Sequence, residues 1–414
     1  MLKKWFAAKL WKRVIGGLVL GVITGLVFGE SAAVLKPFGD LFIRAIKMLV
    51  VPLIFTTLVT GITAMGGVSK LGSIGVKAIG LYLLTTAVAV SIGLFFGAWF
   101  EPGAGMVFEG VTPQAVASAP SAVDRLLGIV PTNPVAALAE GDVLSIIFFA
   151  LLLGVGILLA GDKGKPLGKV IESAADVMLK ITHIVMEAAP FGVFALIAWV
   201  AGTQGIQTFR SILVLAVAVY LACIVHAGLT YGGLIRVVLG LPLLRFFRGI
   251  LDAQAVAYST SSSSATLPVT MSVVEDNLGV KRTVSSSVLP LGATINMDGT
   301  AIYLGIVALF AAQAFGVPVS ASDYVLIALT ATLTSVGAAG IPSASLFLLA
   351  TVLQVLDLGE TETALVVGFI LPFDRLLDMA RTTVNVTVDA AVAVAVAKWE
   401  GELDEARYRT PALE

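Results

Sequence analysis

Near its C-terminus the sequence DRLLDMARTTVNVTVDA, residues 374–390, sets Asp374, Asp378, Arg381, Thr382, Asn385 and Asp389 into an otherwise apolar region. Counted from Asp374 the others stand at offsets of 4, 7, 8, 11 and 15. At about 100° per residue they share roughly a quarter to a third of a helix circumference. Arg381 offers a planar fork that binds a carboxylate bidentately, and Asp378 can accept from an ammonium. Asn385 and Asp389 bring carboxamide and carboxylate oxygens, hard ligands for a hard cation. A second stretch, GATINMDGTAIY at 292–303, repeats those two residue types as Asn296 and Asp298, between Gly292 and Gly299. Glycine there lets main-chain carbonyls turn toward a cation, and sodium is the natural candidate. A third stretch, STSSSSATLP at 259–268, would start a half-helix after Ser261–Ser264 whose free N–H groups and positive dipole end suit a second carboxylate. Two carboxylate sites and one ammonium site describe a zwitterionic diacid such as glutamate or aspartate. The competing structural readings are an Asp378–Arg381 salt bridge at i,i+3, an Asn-x-Asp packing pair and a flexible serine linker.

Such charges need elements that shield them, because the 414-residue chain is 58% hydrophobic and only 13% charged, with mean hydropathy +0.99. That composition excludes an ordinary soluble globule and reads as an integral membrane protein. Arginine or aspartate at the centre of a lipid-facing helix would cost about 2.5–3.5 kcal/mol each, so the stripe must face protein or a wet cavity. One cysteine, Cys223, excludes an internal disulfide. The two histidines, His183 and His226, have no ligand-like spacing and lie outside the polar motifs, which argues against a transition-metal site and a serine-protease base. The first thirteen residues carry five cations and no cleavage site, so they read as a retained start with Trp5 and Trp11 at the interface.

Cations cluster at the N-terminus, at 65–77, 161–169 and 236–248, and in the tail, whereas 102–124, 316–323 and 356–364 contain none. The positive-inside rule then puts both termini in the cytoplasm of a multi-pass cell-membrane protein and demands an even number of crossings. Residue counts give spans near 12–29, 36–64, 72–100, 135–160, 170–200, 209–239, 283–315 and 363–397. Two further apolar stretches, 249–280 and 321–358, are broken by STSSSSATLP and by SVGAAGIPSAS. Unpaired N–H and C=O groups in hydrocarbon cost several kcal/mol each, so these stretches must enter and return beside something polar. Flanking charges place the first on the cytoplasmic side and the second outside. The expected fold is all-α: eight transmembrane helices plus two re-entrant helical hairpins, arranged as inverted repeats about a midplane site.

SSSSATLPVT, LPLGATINMDGTAIY, GAAGIPSAS and DRLLDMARTTVNVTVDA together resemble, in order and spacing, the dicarboxylate/amino acid:cation symporters, which include the excitatory amino acid transporters and their prokaryotic homologues. The similarity covers nearly the whole chain. It implies an elevator-type homotrimer in the lipid bilayer that carries an acidic amino acid with sodium ions as co-transported cargo. By resemblance, 1–70 and 102–206 form a scaffold, 71–101 and 207–400 form a mobile transport unit, and 401–414 is a cytoplasmic tail. Substrate would meet Ser262, Ser263, Thr300, Ile341, Ser345, Asp378, Arg381, Thr382 and Asn385. One sodium site would use Gly292, Asn296, Asn385 and Asp389; a second Tyr82, Thr85, Thr86 and Asp298 with Asn296 shared; a third backbone groups of Thr294, Ser335, Val336 and Ala338. The chain departs from the family at four places. Ser261 and Met379 stand where different members carry an arginine, Leu304 where the animal transporters carry a glutamate, and Ser345 where glycine is frequent. Rival readings are a carrier of C4-dicarboxylates or neutral amino acids and, more remotely, an intramembrane aspartyl protease built on Asp298. No nucleic-acid partner is expected.

Overall fold

The computed structural model describes residues 10–63, 73–106, 127, 130–203, 207–336, 338, 340 and 343–410. Among them every regular element is a helix, save one isolated antiparallel bridge between Val280 and Leu403. In chain order they are α1 (Leu10–Phe28), α2 (Lys36–Thr63), α3 (Ser73–Phe100), α4 (Pro134–Glu140), α5 (Val143–Leu159), α6 (Lys165–Glu187), α7 (Ala189–Thr203) and α8 (Gln207–His226). Then come α9 (Leu243–Gly249), α10 (Leu251–Thr260), α11 (Ser263–Asp276), α12 (Arg282–Ile295), α13 (Asp298–Phe315), α14 (Ala321–Val336), α15 (Ala344–Gln354), α16 (Glu360–Glu400) and α17 (Glu405–Arg409). Among the described residues, five helical segments are long and apolar enough to cross a membrane: Gly16–Phe42, Ser73–Phe100, Arg210–Val238, Arg282–Phe315 and Phe373–Glu400.

Their burial separates two roles. Of the most apolar window in each, 94% is buried for Arg282–Phe315 and Phe373–Glu400, but only 17% for Gly16–Phe42. The segments that carry the charged motifs are therefore wrapped in protein, as their solvation requires. Gly16–Phe42 instead presents Leu20, Ile23, Val27, Phe28 and Phe38 outward, as a lipid-facing helix does. Its inner side is a strip of glycines at four-residue steps. A Cβ on Gly17, Gly21 or Gly25 would lie 2.3, 2.8 or 2.5 Å from the carbonyl oxygens of Pro190, Phe194 and Ala198. Small residues let the α1 and α7 backbones approach closely where hydrocarbon supplies no hydrophobic drive.

Three expected spans are interrupted. The 170–200 stretch is two helices, because Pro190 has no N–H to continue α6 and Phe191 and Gly192 restart the ladder on Ala188 O at 3.1 Å each. The 135–160 stretch breaks at Gly141 (φ +76°), after which Asp142 caps α5, accepting from Ser145 N at 3.4 Å and Ser145 Oγ at 2.6 Å. The 283–315 stretch opens at Asn296 (φ −111°, ψ 113°) and Met297 (φ −135°, ψ 61°), between the glycines that suggested a break.

The two serine- and glycine-broken stretches are helix pairs, α10/α11 and α14/α15. Ser261 (φ +53°) and Ser343 (φ +61°) take left-handed conformations at their tips, positions of local strain for non-glycine residues. The tips touch, with Ser262 Oγ 2.6 Å and Ser264 N 3.2 Å from Gly340 O. Beyond α16 the chain turns back on the core: Lys281 N donates to Glu402 O at 3.0 Å, Asp404 N to Gly279 O at 2.8 Å, and Tyr408 is buried.

Candidate functional site

Helix α16 carries Asp374, Asp378 and Arg381 up one buried face. The fully buried Arg381 places Nη2 2.8 Å from Asp374 Oδ1 and 3.0 Å from Asp378 Oδ1. Its guanidinium carbon lies 4.0 Å from the Tyr303 ring centroid. Arg381 Nε and Nη1, and Asp374 Oδ2, are buried without a hydrogen-bond partner in the protein. A buried donor left unpaired costs about 1–3 kcal/mol, more when charged. Nε and Nη1 point to different sides of the guanidinium, so each is a separate charged donor for an oxygen of an anionic guest. Asp378 faces the second tip, accepting from Ser343 N at 2.8 Å through Oδ2. The ion pair that competes with a solute site in the sequence is thus real, but it occupies only one nitrogen of the fork.

The serine run departs from expectation. Ser262 caps α11 by accepting from Ala265 N at 3.2 Å, and Ser264 N is bonded to Gly340 O, so these two first-turn N–H groups already have partners. The run acts foremost as a joint between the tips. Ser263, Thr300 and Thr382 are buried, and the buried Ser261 Oγ and Ser345 Oγ have no hydrogen-bond partner. Ile341 lies outside the described residues. Asn385 Oδ1 accepts from Gly299 N at 2.8 Å and its Nδ2 lies 3.1 Å from Met297 Sδ, which pins α16 to the start of α13. A Cβ on Gly299 would sit 2.3 Å from Arg381 O, so only glycine permits that crossing.

A second polar cluster lies where α3 meets the α12–α13 break. Thr86 Oγ1 is 2.7 Å from Asp298 Oδ1 and 3.2 Å from Asn296 Oδ1, and Thr85 Oγ1 is 3.4 Å from the same Asp298 oxygen and 3.1 Å from Tyr82 O. Two hydroxyl protons face three acceptors, an oxygen-rich arrangement short of protons that could hold a monovalent cation. Asn296 Nδ2 points the other way, 3.3 Å from Asp389 Oδ1, so one asparagine lies between both acids. Gly292 makes that approach possible: a Cβ there would be 2.3 Å from Asp389 Oδ1 and 2.5 Å from Tyr82 OH. Tyr82 OH itself donates to Val288 O at 3.0 Å. In the third expected set, Thr294 Oγ1 donates to carbonyls of its own helix and Ser335 Oγ to Thr332 O, leaving main-chain oxygens as what these residues offer an ion. Val336 ends α14 and Ala338 N donates to Ser335 O at 3.1 Å.

Sequence reasoning misses two contributors. His226, outside the polar motifs in the sequence, has Nε2 2.9 Å from Asp298 Oδ2, beside Tyr231 OH at 3.0 Å. Arg375 Nη2 donates to the carbonyls of Ser259 and Thr260, at 3.2 and 3.1 Å, and so caps the end of α10. Its charge beside the stripe is the available signal. His226 gives none, because its partner is distant in sequence.

A multi-helix apolar fold that buries an arginine with uncommitted donors and an oxygen-rich cluster at its broken helices fits a membrane carrier better than a hydrolytic enzyme. Residues 10–399 match the model of the sodium:dicarboxylate symporter family, and the chain belongs to that family. It is 34% identical over 407 residues to a proton/sodium-glutamate symport protein of Bacillus caldotenax, with 95% of each chain covered. It is 36% identical over 408 residues to a C4-dicarboxylate transport protein of Brucella anthropi, covering 96% of this chain and 90% of that one. A proton/sodium-glutamate symport protein of Bacillus subtilis is 34% identical over 410 residues, covering 96% and 94%. The chain is a multi-pass membrane symporter with a co-transported ion, and the protease reading falls with its family membership.

Proposed function

We propose that this protein carries an acidic amino acid, aspartate or glutamate, together with sodium. The observation that carries the reading is the buried Arg381 fork, with Nε and Nη1 uncommitted, beside Asp378, a carboxylate on the same helix face that can accept an ammonium. Arg381 selects a side-chain or main-chain carboxylate. Asp378 distinguishes an amino acid from a plain dicarboxylate, which would meet like charge there. Thr382, Asn385, Thr300, Ser262, Ser263, Ser345 and the main chain near Ile341 line the remainder. The cages around Asp298 and Asp389, with the carbonyls of Thr294, Ser335, Val336 and Ala338, take sodium.

In this reading α10/α11 and α14/α15 are hairpins entering from opposite faces, with both termini cytoplasmic. Segments 71–101 and 207–400 move against a scaffold of 1–70 and 102–206 in an elevator cycle, within a homotrimer. The contrast of 94% with 17% burial between Phe373–Glu400 and Gly16–Phe42 supports that division. Coupling follows from charge: a partly filled unit carries unpaired ions past the scaffold, which the low-dielectric surroundings penalise.

The second reading, a C4-dicarboxylate carrier, is favoured by the name of the Brucella anthropi relative. Sodium-gradient-driven uptake into proteoliposomes separates the two. Aspartate or glutamate should be taken up, succinate should compete weakly, and Asp378→Ser should lose amino acid uptake. Succinate uptake that survives Asp378→Ser, with no uptake of either amino acid, would replace the first reading by the second.

A further inference from the structure

Asp298 is wholly buried and its two oxygens face different elements. Oδ1 turns to Thr85, Thr86 and, through Thr86, Asn296. Oδ2 is held by His226 Nε2, from the last residue of α8, at 2.9 Å and by Tyr231 OH, from the turn that follows, at 3.0 Å. Thr230 Oγ1 lies 3.0 Å from His226 Nδ1. A ring proton on Nε2, donated to Asp298, leaves Nδ1 to accept from that hydroxyl, so Thr230 completes the ring's hydrogen bonding and helps to orient it.

The backbone explains how two residues five apart reach one oxygen. On an α-helix they would diverge by about 140°. Ala227–Tyr231 is instead a π-helical turn, with Gly232 N donating back to Ala227 O, and the widened turn brings position 231 round beneath 226. The rings meet edge to face, their centroids 4.8 Å apart. Such turns are rare and concentrate where a side chain must be re-aimed for function.

We infer that His226 and Tyr231 are positioning residues for the co-transported cation: by holding Oδ2 they keep Oδ1 turned into the Thr85–Thr86–Asn296 cage, and so set the affinity and size selectivity of that site. This rests on the reading of the cage as a sodium site. Neither side chain touches the ion. Both act through the carboxylate, as outer partners of metal-bound groups do.

The test uses the purified full-length protein without substrate, reading thermal stabilisation as choline is exchanged for sodium or for lithium. Tyr231→Phe deletes one hydroxyl and keeps the ring, so it is the variant least able to disturb the fold. It should raise the half-saturating sodium concentration about tenfold and change the lithium-to-sodium ratio. His226→Leu should do at least as much, and His226→Gln, which restores an N–H donor, should recover most of the loss. Thr86→Ala, inside the cage, serves as the control. If the parent and Thr86→Ala respond to sodium alike, the cage is not the cation site and the underlying reading fails. If Thr86→Ala loses the response while Tyr231→Phe and His226→Leu keep the parent's half-saturation and ion ratio, the cage stands and the positioning role is overturned. A variant that melts earlier by the same margin in choline, lithium and sodium marks a purely structural role, and this too overturns the positioning role.

Discussion

Replacing Arg381 by lysine separates what the guanidinium does for the fold from what it does for a guest. Arg381 neutralises Asp374 and Asp378 through one nitrogen, at 2.8 and 3.0 Å, and stacks 4.0 Å from Tyr303. Removing the charge outright would strand two buried carboxylates, a loss of about 3–5 kcal/mol that would obscure any binding effect. Lysine keeps the charge in a compact ammonium without the fork. What the fold loses is the ring stacking and the better half of the bridging geometry, about 1–2 kcal/mol. What a bound carboxylate loses is a charge-assisted guanidinium donor, Nε or Nη1, about 1.5–3 kcal/mol, or roughly ten- to a hundredfold in affinity. Calorimetric titration of aspartate and glutamate into Arg381→Lys in saturating sodium, with thermal unfolding alongside, reads both quantities. Serine, with no side-chain carboxylate, provides the contrast and should weaken far less. Acidic amino acid affinity within about threefold of the parent, or serine weakening in step with aspartate, would refute the assignment of the fork to the side-chain carboxylate.

Arg375→Ala should release the end of α10. Losing two charge-assisted bonds of 3.2 and 3.1 Å shifts the tip's opening equilibrium by about 1.4 kcal/mol, read as roughly tenfold faster thiol labelling of a Ser263→Cys variant over the buried native Cys223; an unchanged rate would exclude the anchor. Gly292→Ala should raise the half-saturating sodium concentration about tenfold without unfolding the protein, because the new methyl meets the movable Asp389 carboxylate and Tyr82 hydroxyl at 2.3 and 2.5 Å; an unaltered sodium titration would refute it. In the tail, the hydrogen bond from Lys398 holds the Glu405 carboxyl below the usual glutamate range, with Arg409 adding to it. A lowered folded-state pKa stabilises above the ordinary glutamate value and is lost as pH falls through the lowered one. The group is exposed and screened, so Glu405→Gln should move the neutral-pH melting temperature by less than about 2 °C, with the difference vanishing in acid.

The broken helices and the ionic stripe are legible in the sequence for the same reason: polar or glycine-rich residues in an apolar run must be shielded, and few arrangements shield them. The breaks at 261–262 and 296–297 fall inside the quoted motifs, and Asp378, Arg381, Asn296 and Asp298 are all buried. Interruptions that carry no polar signal are opaque. Pro190 divides 170–200, where the amphipathic α6 and the apolar α7 run together in the sequence as one span. The direction of each polar group is equally hidden. Ser262 and Ser264 look in the sequence like donors to a guest but serve the facing tip. Tyr231 joins His226 on Asp298 because a π-helical turn, invisible to a 3.6-residue period, carries it round.

The meeting of the two tips at Gly340 has a mechanical corollary. One carbonyl oxygen, with its two lone pairs, receives both the Ser262 hydroxyl and the Ser264 amide, so the loops are yoked through a single atom. If the first tip moves away Gly340 O loses both its partners, and if the second does both donors lose theirs, so a lesion at this joint loosens both tips together.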